Sequence, residues 1–279
     1  MRFVQLFVVC LVGIISGGQS AFADENKDAH PYLNAKFFID TGVYFPEREV
    51  EIRVGGSIFG ITPYVDFQQE FGVSKSDDTF ALNAGWRFGK KWQLGLQYFE
   101  FSDAKTAALA RDIEWRDVVF QQGSSVAVGH DFELVRVFFA RRFESKEHHE
   151  FGVGAGLHWI DLGAFIEGNA IVAGGANEFR TESVSVSAPL PNIGAWYTYS
   201  ISSEWALKAR LDWLSASIGE YDGTLINASF GMNYQAFKYA GIGLSYNVFS
   251  LDAGINKPSW RGAVDIDYEG LYAFLSFYW

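Results

Sequence analysis

The last nine residues constrain the fold of this chain more than any other feature. From Leu271 to Trp279 every odd position carries an apolar side chain, so one face of an extended strand is apolar up to the final residue. A strand in water hides such a face against a core, and an aromatic residue at its end gains little from exposure. We therefore predict that this strand closes a sheet by pairing with the first strand, and that its apolar face contacts hydrocarbon.

The same two-residue period recurs along the chain. One set of alternate positions is apolar or aromatic, and the other carries glycine, Asn, Gln, Ser and some charged residues. The segments with this pattern are 80–88, 92–98, 205–213, 226–235 and 240–248. A soluble β-sandwich or a lipocalin-like barrel also alternates, but its polar face usually carries Lys, Glu and Thr. The glycine-rich polar face favours strands whose apolar side faces lipid and whose polar side faces a lumen.

Two tryptophans give a length for one such strand. Trp205 and Trp213 lie on the same face, and a strand rises ~3.3 Å per residue, so they are ~26 Å apart. A tilt of ~40° leaves about 20 Å along the membrane normal, close to the ~25 Å apolar band between aromatic girdles. We predict that a membrane-interface girdle contains Trp86, Trp92, Trp205, Trp213 and Trp279.

The N-terminal residues have the composition of a secretory signal peptide. Arg2 precedes an apolar run from Val4 to Ile15, and Ala21-Phe22-Ala23 matches a cleavage site, so residues 1–23 are expected to be removed. An uncleaved anchor helix is the alternative. Cys10 is the single cysteine, so the mature chain would contain no disulfide and no thiolate metal site. No later stretch approaches the roughly 18 apolar residues that a membrane helix needs.

The charge balance excludes one class of partner. The chain has 33 acidic and 22 basic residues, a formal net charge of −11. Nucleic-acid binding requires a basic face, so we expect no nucleic-acid partner.

Short and long connections alternate along the chain. Short ones occur near 90–91, 145–149, 202–203 and 237–238, and longer ones at 103–124, 167–182, 216–223 and 252–259. Short periplasmic turns and long extracellular loops are typical of outer-membrane barrels. The strands are predicted at 35–45, 79–89, 92–102, 125–143, 150–165, 184–201, 204–215, 224–236, 239–250 and 261–279.

The fold class that follows is all-β, a transmembrane antiparallel up-and-down β-barrel of about ten strands. Eight or twelve strands stay open, because segment 46–78 contains two further plausible strands. That segment could form a large extracellular hairpin, a plug in the lumen or an extra strand pair. Residues 24–34 are expected to be a short periplasmic N-terminal segment, and residues 35–279 the barrel.

The mature chain as a whole resembles the OmpA-like and OmpW-like small outer-membrane β-barrels of Gram-negative bacteria. The C-terminal strand resembles the sorting signal that the barrel-assembly machinery recognises. The resemblance implies an integral outer-membrane location, contact with outer-membrane lipids and lipopolysaccharide, and no cofactor. Barrels of this build include structural anchors, small-solute channels, adhesins and a few lipid or peptide hydrolases, so the fold does not select a function.

The lumen face is where chemistry is expected. We predict a lumen charge cluster of Arg87, Arg136, Lys208, Arg210, Asp212, Arg261, Asp265 and Asp267. In a narrow barrel such charges pair with one another and fill the interior. This salt-bridge network is the arrangement that we expect. Alternatively, Arg and Lys facing acidic groups would form a constriction that selects small solutes by charge.

Features of an enzyme are sparse. His158 is predicted to point into the lumen beneath Asp161, and this His–Asp pair could orient a base. No G-x-S-x-G or H-E-x-x-H motif accompanies it, and no second ligand at useful spacing suggests a metal. Loop 103–117 has the mixed charges of a solvated arm, and the small apolar segment 170–177 could fold over the barrel mouth.

These observations predict a non-enzymatic outer-membrane barrel with a narrow charged lumen. Its role would be that of a structural envelope protein or a small-solute channel. A surface-exposed lipid or peptide hydrolase, or an adhesin, is the alternative.

Overall fold

The computed structural model describes residues 29–56, 64–66, 78–115, 118–145, 148–171, 175–218, 221–257 and 260–279. The expected signal peptide, 1–23, lies outside these residues. A single 3-10 turn, Pro31–Leu33, precedes thirteen strands. In chain order they are β1 (Phe37–Gly56), β2 (Tyr64–Asp66), β3 (Thr79–Phe88), β4 (Trp92–Ala108), β5 (Ile113–Trp115), β6 (Val118–Phe120), β7 (Ser125–Ser145), β8 (His149–Ile171), β9 (Asn177–Ser200), β10 (Trp205–Ile218), β11 (Tyr221–Phe237), β12 (Ala240–Lys257) and β13 (Trp260–Tyr278).

Ten of these strands form a closed antiparallel up-and-down barrel, which confirms the predicted fold class. Each long strand pairs with the next long strand, and β13 returns to pair with β1 in a continuous register from Phe38↔Tyr278 to Gly56↔Trp260. The strands are longer at their extracellular ends than the alternation predicted: β8 continues to Ile171 and β12 to Lys257. The ladder continues there although the two-residue polarity pattern that marked the strands has faded.

Segment 46–78 contributes to the barrel in part. β1 runs through its first half, and β2 pairs with the upper end of β1 at Ile52↔Val65. β2 does not belong to the closed ring, so this described part is an extracellular hairpin. Residues 57–63 and 67–77 lie outside the described part of the chain.

An apolar band surrounds the half of the barrel that carries the short turns, which is the periplasmic half. At its lower edge Phe37 stacks between Trp279, at 5.7 Å, and Trp86, at 6.2 Å, and Trp92 stacks on Phe139 at 5.1 Å. The predicted girdle residues all face outward, with 39–47% of each side chain exposed: Trp86, Trp92, Trp205, Trp213 and Trp279. Trp159 also faces outward, eight residues above Phe151 on the same face of β8. Trp159 was not included in the predicted girdle, although the alternate residues before it in β8 are all apolar: Phe151, Val153, Ala155 and Leu157.

The barrel wall divides above the apolar band. β9 pairs with β10 only up to Ile193↔Trp213, whereas its ladder with β8 continues to Asn177. Pro189 and Pro191 lie in β9 just above this point, and each lacks a backbone N–H. Two missing donors on one edge of β9 explain why the β9–β10 ladder ends here while the β8–β9 ladder continues.

No helix within the described residues is long and apolar enough to span a membrane.

The apolar band predicts a cost for charge that depends on depth. Leu244 lies on the outward face of β12, with 46% of its side chain exposed, near the middle of the band. We expect Leu244→Arg to lower the free energy of unfolding by about 2–4 kcal/mol. Ser250→Arg, on the same face of β12 near the outer interface, is the control and should cost about 1 kcal/mol or less. Urea titration of both variants in lipid vesicles measures the difference, and equal losses would contradict the assigned band.

Candidate functional site in the barrel lumen

The lumen is filled by three successive layers, and the lowest is formed by residues 29–36, here called the plug. Tyr32 and Ala35 are buried inside the periplasmic mouth, where the Tyr32 ring packs on Phe38 at 4.8 Å. Arg87 donates hydrogen bonds to the carbonyl oxygens of Tyr32 and of Ala35, the latter at 2.9 Å. The backbone N–H of His30 donates to Ser200 Oγ at 2.7 Å. The plug therefore closes the periplasmic end of the barrel.

A buried ion triad holds the wall around the plug. Glu150 accepts from Arg87 Nη2 at 2.9 Å and from Arg142 Nε at 2.9 Å, and Trp196 Nε1 also donates to it at 3.0 Å. Glu150 is 1% exposed, so both guanidinium groups meet their shared carboxylate in a dry environment. Gly152 is required here, because a Cβ at this position would lie 2.2 Å from the Trp196 ring. The triad connects β3, β7 and β8 on one side of the barrel, and Trp196 adds β9.

The second layer, here called the charged layer, contains the other paired lumen charges. Arg136 Nη2 donates to Asp212 Oδ1 at 2.7 Å, and Arg210 Nη2 donates to Gln97 Oε1 at 2.8 Å. Lys208 Nζ donates to Asp40 Oδ2 at 2.6 Å, and Ser276 Oγ donates to the other Asp40 oxygen. The Arg136, Arg210 and Lys208 pairs join strands that are not neighbours, so they cross the lumen, whereas Ser276 and Asp40 lie on adjacent strands.

His158 belongs to this layer as a fully buried, hydrogen-bonded residue. Its Nδ1 lies 3.1 Å from Asn192 Oδ1 and its Nε2 lies 3.1 Å from Asn227 Nδ2. A neutral imidazole satisfies both contacts, donating from Nδ1 and accepting at Nε2. The predicted pairing with Asp161 is wrong, because alternate residues of β8 face opposite ways. Asp161 points outward and accepts from Trp159 Nε1 at 3.2 Å.

The third layer consists of five aromatic rings, here called the aromatic layer: Phe99, Phe101, Phe132, Phe249 and Tyr268. Their centroids are 4.8 to 6.5 Å apart along a continuous set of contacts. The Arg48 guanidinium lies 4.9 Å above the Phe101 ring. This layer was not predicted from the sequence. Its signal was apolar residues on the inward parity of two neighbouring strands, at Phe99 and Phe101 and again at Phe132 and Leu134.

The long β4–β7 connection adds to the same core. Leu109, Ile113 and Phe120 are 4%, 3% and 0% exposed, and they pack with the rings of the aromatic layer in one hydrophobic cluster. Segment 103–117 was predicted to be a solvated arm, and residues 104–106 and 110–112 are indeed exposed, whereas Leu109 and Ile113 point into the core. Residues 175–181 are also exposed. Leu109, Ile113 and Phe120 of this connection therefore pack inward, and Ala170 at the end of β8 belongs to the same cluster.

The predicted charge cluster is divided by the structure. Arg87, Arg136, Lys208, Arg210 and Asp212 all face the lumen, in the plug region and the charged layer. Asp265 and Asp267 are exposed on the outer wall, where they alternate with the buried residues Ile266 and Tyr268, so their predicted inward orientation is wrong. They lie above the apolar band, where the outward face of β13 meets water rather than lipid. The side chain of Arg261 lies outside the described part.

Two acidic partners of these charges, Glu150 and Asp40, were not predicted. Glu150 has the same parity as His158 in β8, and Asp40 has the same parity as Gly42 in β1, so both positions carried an inward signal. Among the residues that the structure describes, no group of three or more His, Cys, Asp or Glu side chains could hold a metal ion.

A cavity of about 120 Å³ lies between the plug and the aromatic layer. Tyr32 lines its periplasmic side. Lys208, Arg136 and Arg210 line its wall, together with Asp40 and several neutral polar groups. This volume holds several water molecules or one small organic group.

No protein-family model and no curated protein matches this sequence. Among solved structures, the outer membrane protease OmpT of Escherichia coli matches with a TM-score of 0.54 at 9% identity, covering 94% of this chain and 100% of that chain. The toluene transporter TodX of Pseudomonas putida gives a TM-score of 0.34 at 9% identity, with 87% and 89% coverage. The attachment invasion locus protein Ail of Yersinia pestis gives 0.26 at 9% identity, with 86% and 99% coverage.

At 9% identity the likeness to OmpT concerns the fold alone. Together with the closed ten-stranded barrel and its apolar outer band, it confirms the prediction of an integral outer-membrane β-barrel.

The ion triad predicts a large stability loss on removal of its carboxylate. Glu150→Gln removes the negative charge that Arg87 and Arg142 share, and we expect it to lower the free energy of unfolding by about 3–5 kcal/mol. Arg180→Gln is the control, since it breaks the Glu178–Arg180 pair, whose side chains are 48% and 44% exposed. That loss should stay below about 1 kcal/mol. Urea unfolding of both variants in vesicles measures the two losses of unfolding free energy. A similar loss in both variants would contradict the prediction.

The plug should loosen in acid. Burial, with a smaller contribution from the positive charge of Lys208, lowers the pKa of His30 from 6.5 to about 4. A released plug would bind a proton near pH 6.5, so docking is fully favoured above that pH. It weakens as the pH falls from 6.5 towards 4, by up to about tenfold per pH unit.

Thiol labelling measures this release, because the chain without residues 1–23 contains no cysteine. Ala29→Cys places a thiol in the plug, and Ser203→Cys places one in an exposed turn. The ratio of their labelling rates should rise from pH 7 to pH 5 and become flat when His30→Asn is added, since Asn keeps an acceptor but does not titrate. A ratio independent of pH in the His30 protein would refute the assignment.

Proposed function

We propose that this chain is a structural protein of the outer membrane whose lumen conducts no solute. The observation that carries this proposal is the aromatic layer. Its five rings are 1–7% exposed, and they meet across the lumen from β4, β7, β12 and β13. A conducting pore needs a continuous path of water, and close-packed rings leave none at this level.

Two further features support a closed barrel. The plug provides a second closure at the periplasmic end, held by the Arg87 hydrogen bonds to its carbonyl groups. Most lumen charges are also paired across the barrel, as Arg136 is with Asp212 and Lys208 with Asp40. Paired charges stabilise a filled interior, whereas a selectivity filter presents its charges to passing ions.

We also propose that the protein is not an enzyme. His158 was the first candidate base, and it is completely buried between two asparagines, with Asp161 on the opposite face of its strand. A catalytic base must reach a substrate proton, and this imidazole contacts protein groups alone within the described residues. A protease among the fold relatives does not transfer its activity to this chain, because fold similarity does not fix chemistry.

The proposed partners follow from the outer surface. The exposed apolar band would contact outer-membrane lipids, and lipopolysaccharide would surround the wall above it. The C-terminal strand presents Leu271, Leu275, Phe277 and Trp279 outward. We propose that the barrel-assembly machinery recognises this strand during insertion.

Conductance in a planar bilayer tests the structural role. We expect refolded protein to insert without discrete current steps, with heat-modifiable gel migration confirming that the barrel has folded. Deletion of residues 24–35 should also leave the barrel non-conducting, because the aromatic layer still closes it. An open porin in the same bilayer is the positive control. Discrete steps from the folded wild-type protein would overturn the proposal in favour of a solute channel.

A further inference from the structure

The cavity between the plug and the aromatic layer carries an excess of positive charge. Lys208 and Asp40 neutralise each other at 2.6 Å. Arg136 and Arg210 share one carboxylate, since Asp212 lies 2.7 Å from Arg136 Nη2 and 3.6 Å from Arg210 Nε. Asp212 is completely buried and does not line the cavity, whereas both arginines do. One positive charge is therefore left over at the cavity wall.

The donor groups of these arginines are incompletely used. Arg136 is 4% exposed, and its Nε makes no hydrogen bond within the described part of the chain. Arg210 Nε is likewise without a hydrogen bond there, and its Nη2 donates to the neutral oxygens of Gln97 and Asn227. Two guanidinium groups that share one carboxylate are not fully neutralised, and an anion at the cavity wall would balance their remaining charge.

The cavity wall also contains aromatic rings beside its neutral polar groups. Phe138, Trp196 and Phe274 line it, and the Arg136 guanidinium lies 4.2 Å from the centroid of the Phe138 ring. Phosphate would gain nothing from such walls, whereas a carboxylate on a small apolar body would use both parts of the site. A volume of about 120 Å³ limits that body to a few carbon atoms or a single ring.

We propose that this cavity binds a small organic monocarboxylate, with its carboxylate at Arg136 and Arg210 and its apolar body against Phe138 and Phe274. A single negative charge matches the single surplus positive charge, and guanidinium groups suit carboxylates because of their planar donor geometry. The ligand enters from the periplasm when Tyr32 and the rest of the plug move aside. Entry from outside the cell is blocked by the aromatic layer.

Calorimetric titration with benzoate, into folded protein in lipid nanodiscs, tests this site. Benzyl alcohol is the neutral isostere, inorganic phosphate tests the anion class, and empty nanodiscs correct for partition into lipid. We expect saturable binding of one benzoate per barrel, with benzyl alcohol and phosphate at least about tenfold weaker, the usual effect of losing a charged hydrogen bond.

Three variants separate binding from folding. Arg210→Gln should weaken benzoate binding about tenfold, and Lys238→Gln, in an exposed turn, should leave it unchanged. Asp40→Asn removes the carboxylate that lines the cavity and should tighten binding about threefold, a gain that a misfolded barrel cannot produce. Benzoate binding no tighter than that of benzyl alcohol, phosphate binding as tight as benzoate, or an Asp40→Asn protein with weaker binding would each overturn the proposal. Conductance plays no part in this test, so its outcome is independent of the proposed structural role.

Discussion

The hydrogen bonding of the backbone in a medium without water is the constraint on which this structure depends. In hydrocarbon every peptide N–H and C=O must find a partner within the protein, and the β1–β13 ladder supplies the last of these partners. This ladder also fixes the orientation of both strands, since Phe38 opposes Tyr278 and every even position then faces the lumen. A shift of one residue would turn one of the two strands over and move either Asp40 or Ser276 into lipid, so the polar lumen and the register stabilise each other.

The same wall reverses its polarity at the outer edge of the apolar band. Below that edge β13 presents Leu275 to lipid and Ser276 to the lumen, and above it the strand presents Asp267 outward and Ile266 inward. The lower barrel is therefore apolar outside and polar inside, whereas the upper barrel has the arrangement of a soluble protein with an apolar core. The solvent around each half accounts for the difference, and the aromatic layer begins where the reversal occurs.

This reversal explains what the sequence could and could not predict. Alternation within the apolar band identified ten strands, the tryptophan girdle and inward charges such as Arg210, because one face of each strand is uniformly apolar there. Asp267 was misplaced, although its odd position gives it the same parity as Leu271 and Trp279, which face outward. Pairs across the lumen, such as Arg210 with Gln97, could not be predicted, since they depend on the stagger of strands that are not neighbours.

The aromatic layer and the plug close the lumen in different ways. This difference decides from which side the cavity between them can be reached. The aromatic layer is built from long barrel strands, so opening it would require the wall itself to separate. The plug is a short segment before β1, held mainly by Arg87 and by the packing of Tyr32. Local opening follows the weaker set of contacts. We therefore expect the lumen above the plug to exchange with the periplasm rather than through the outer half of the barrel, as the proposed structural role requires.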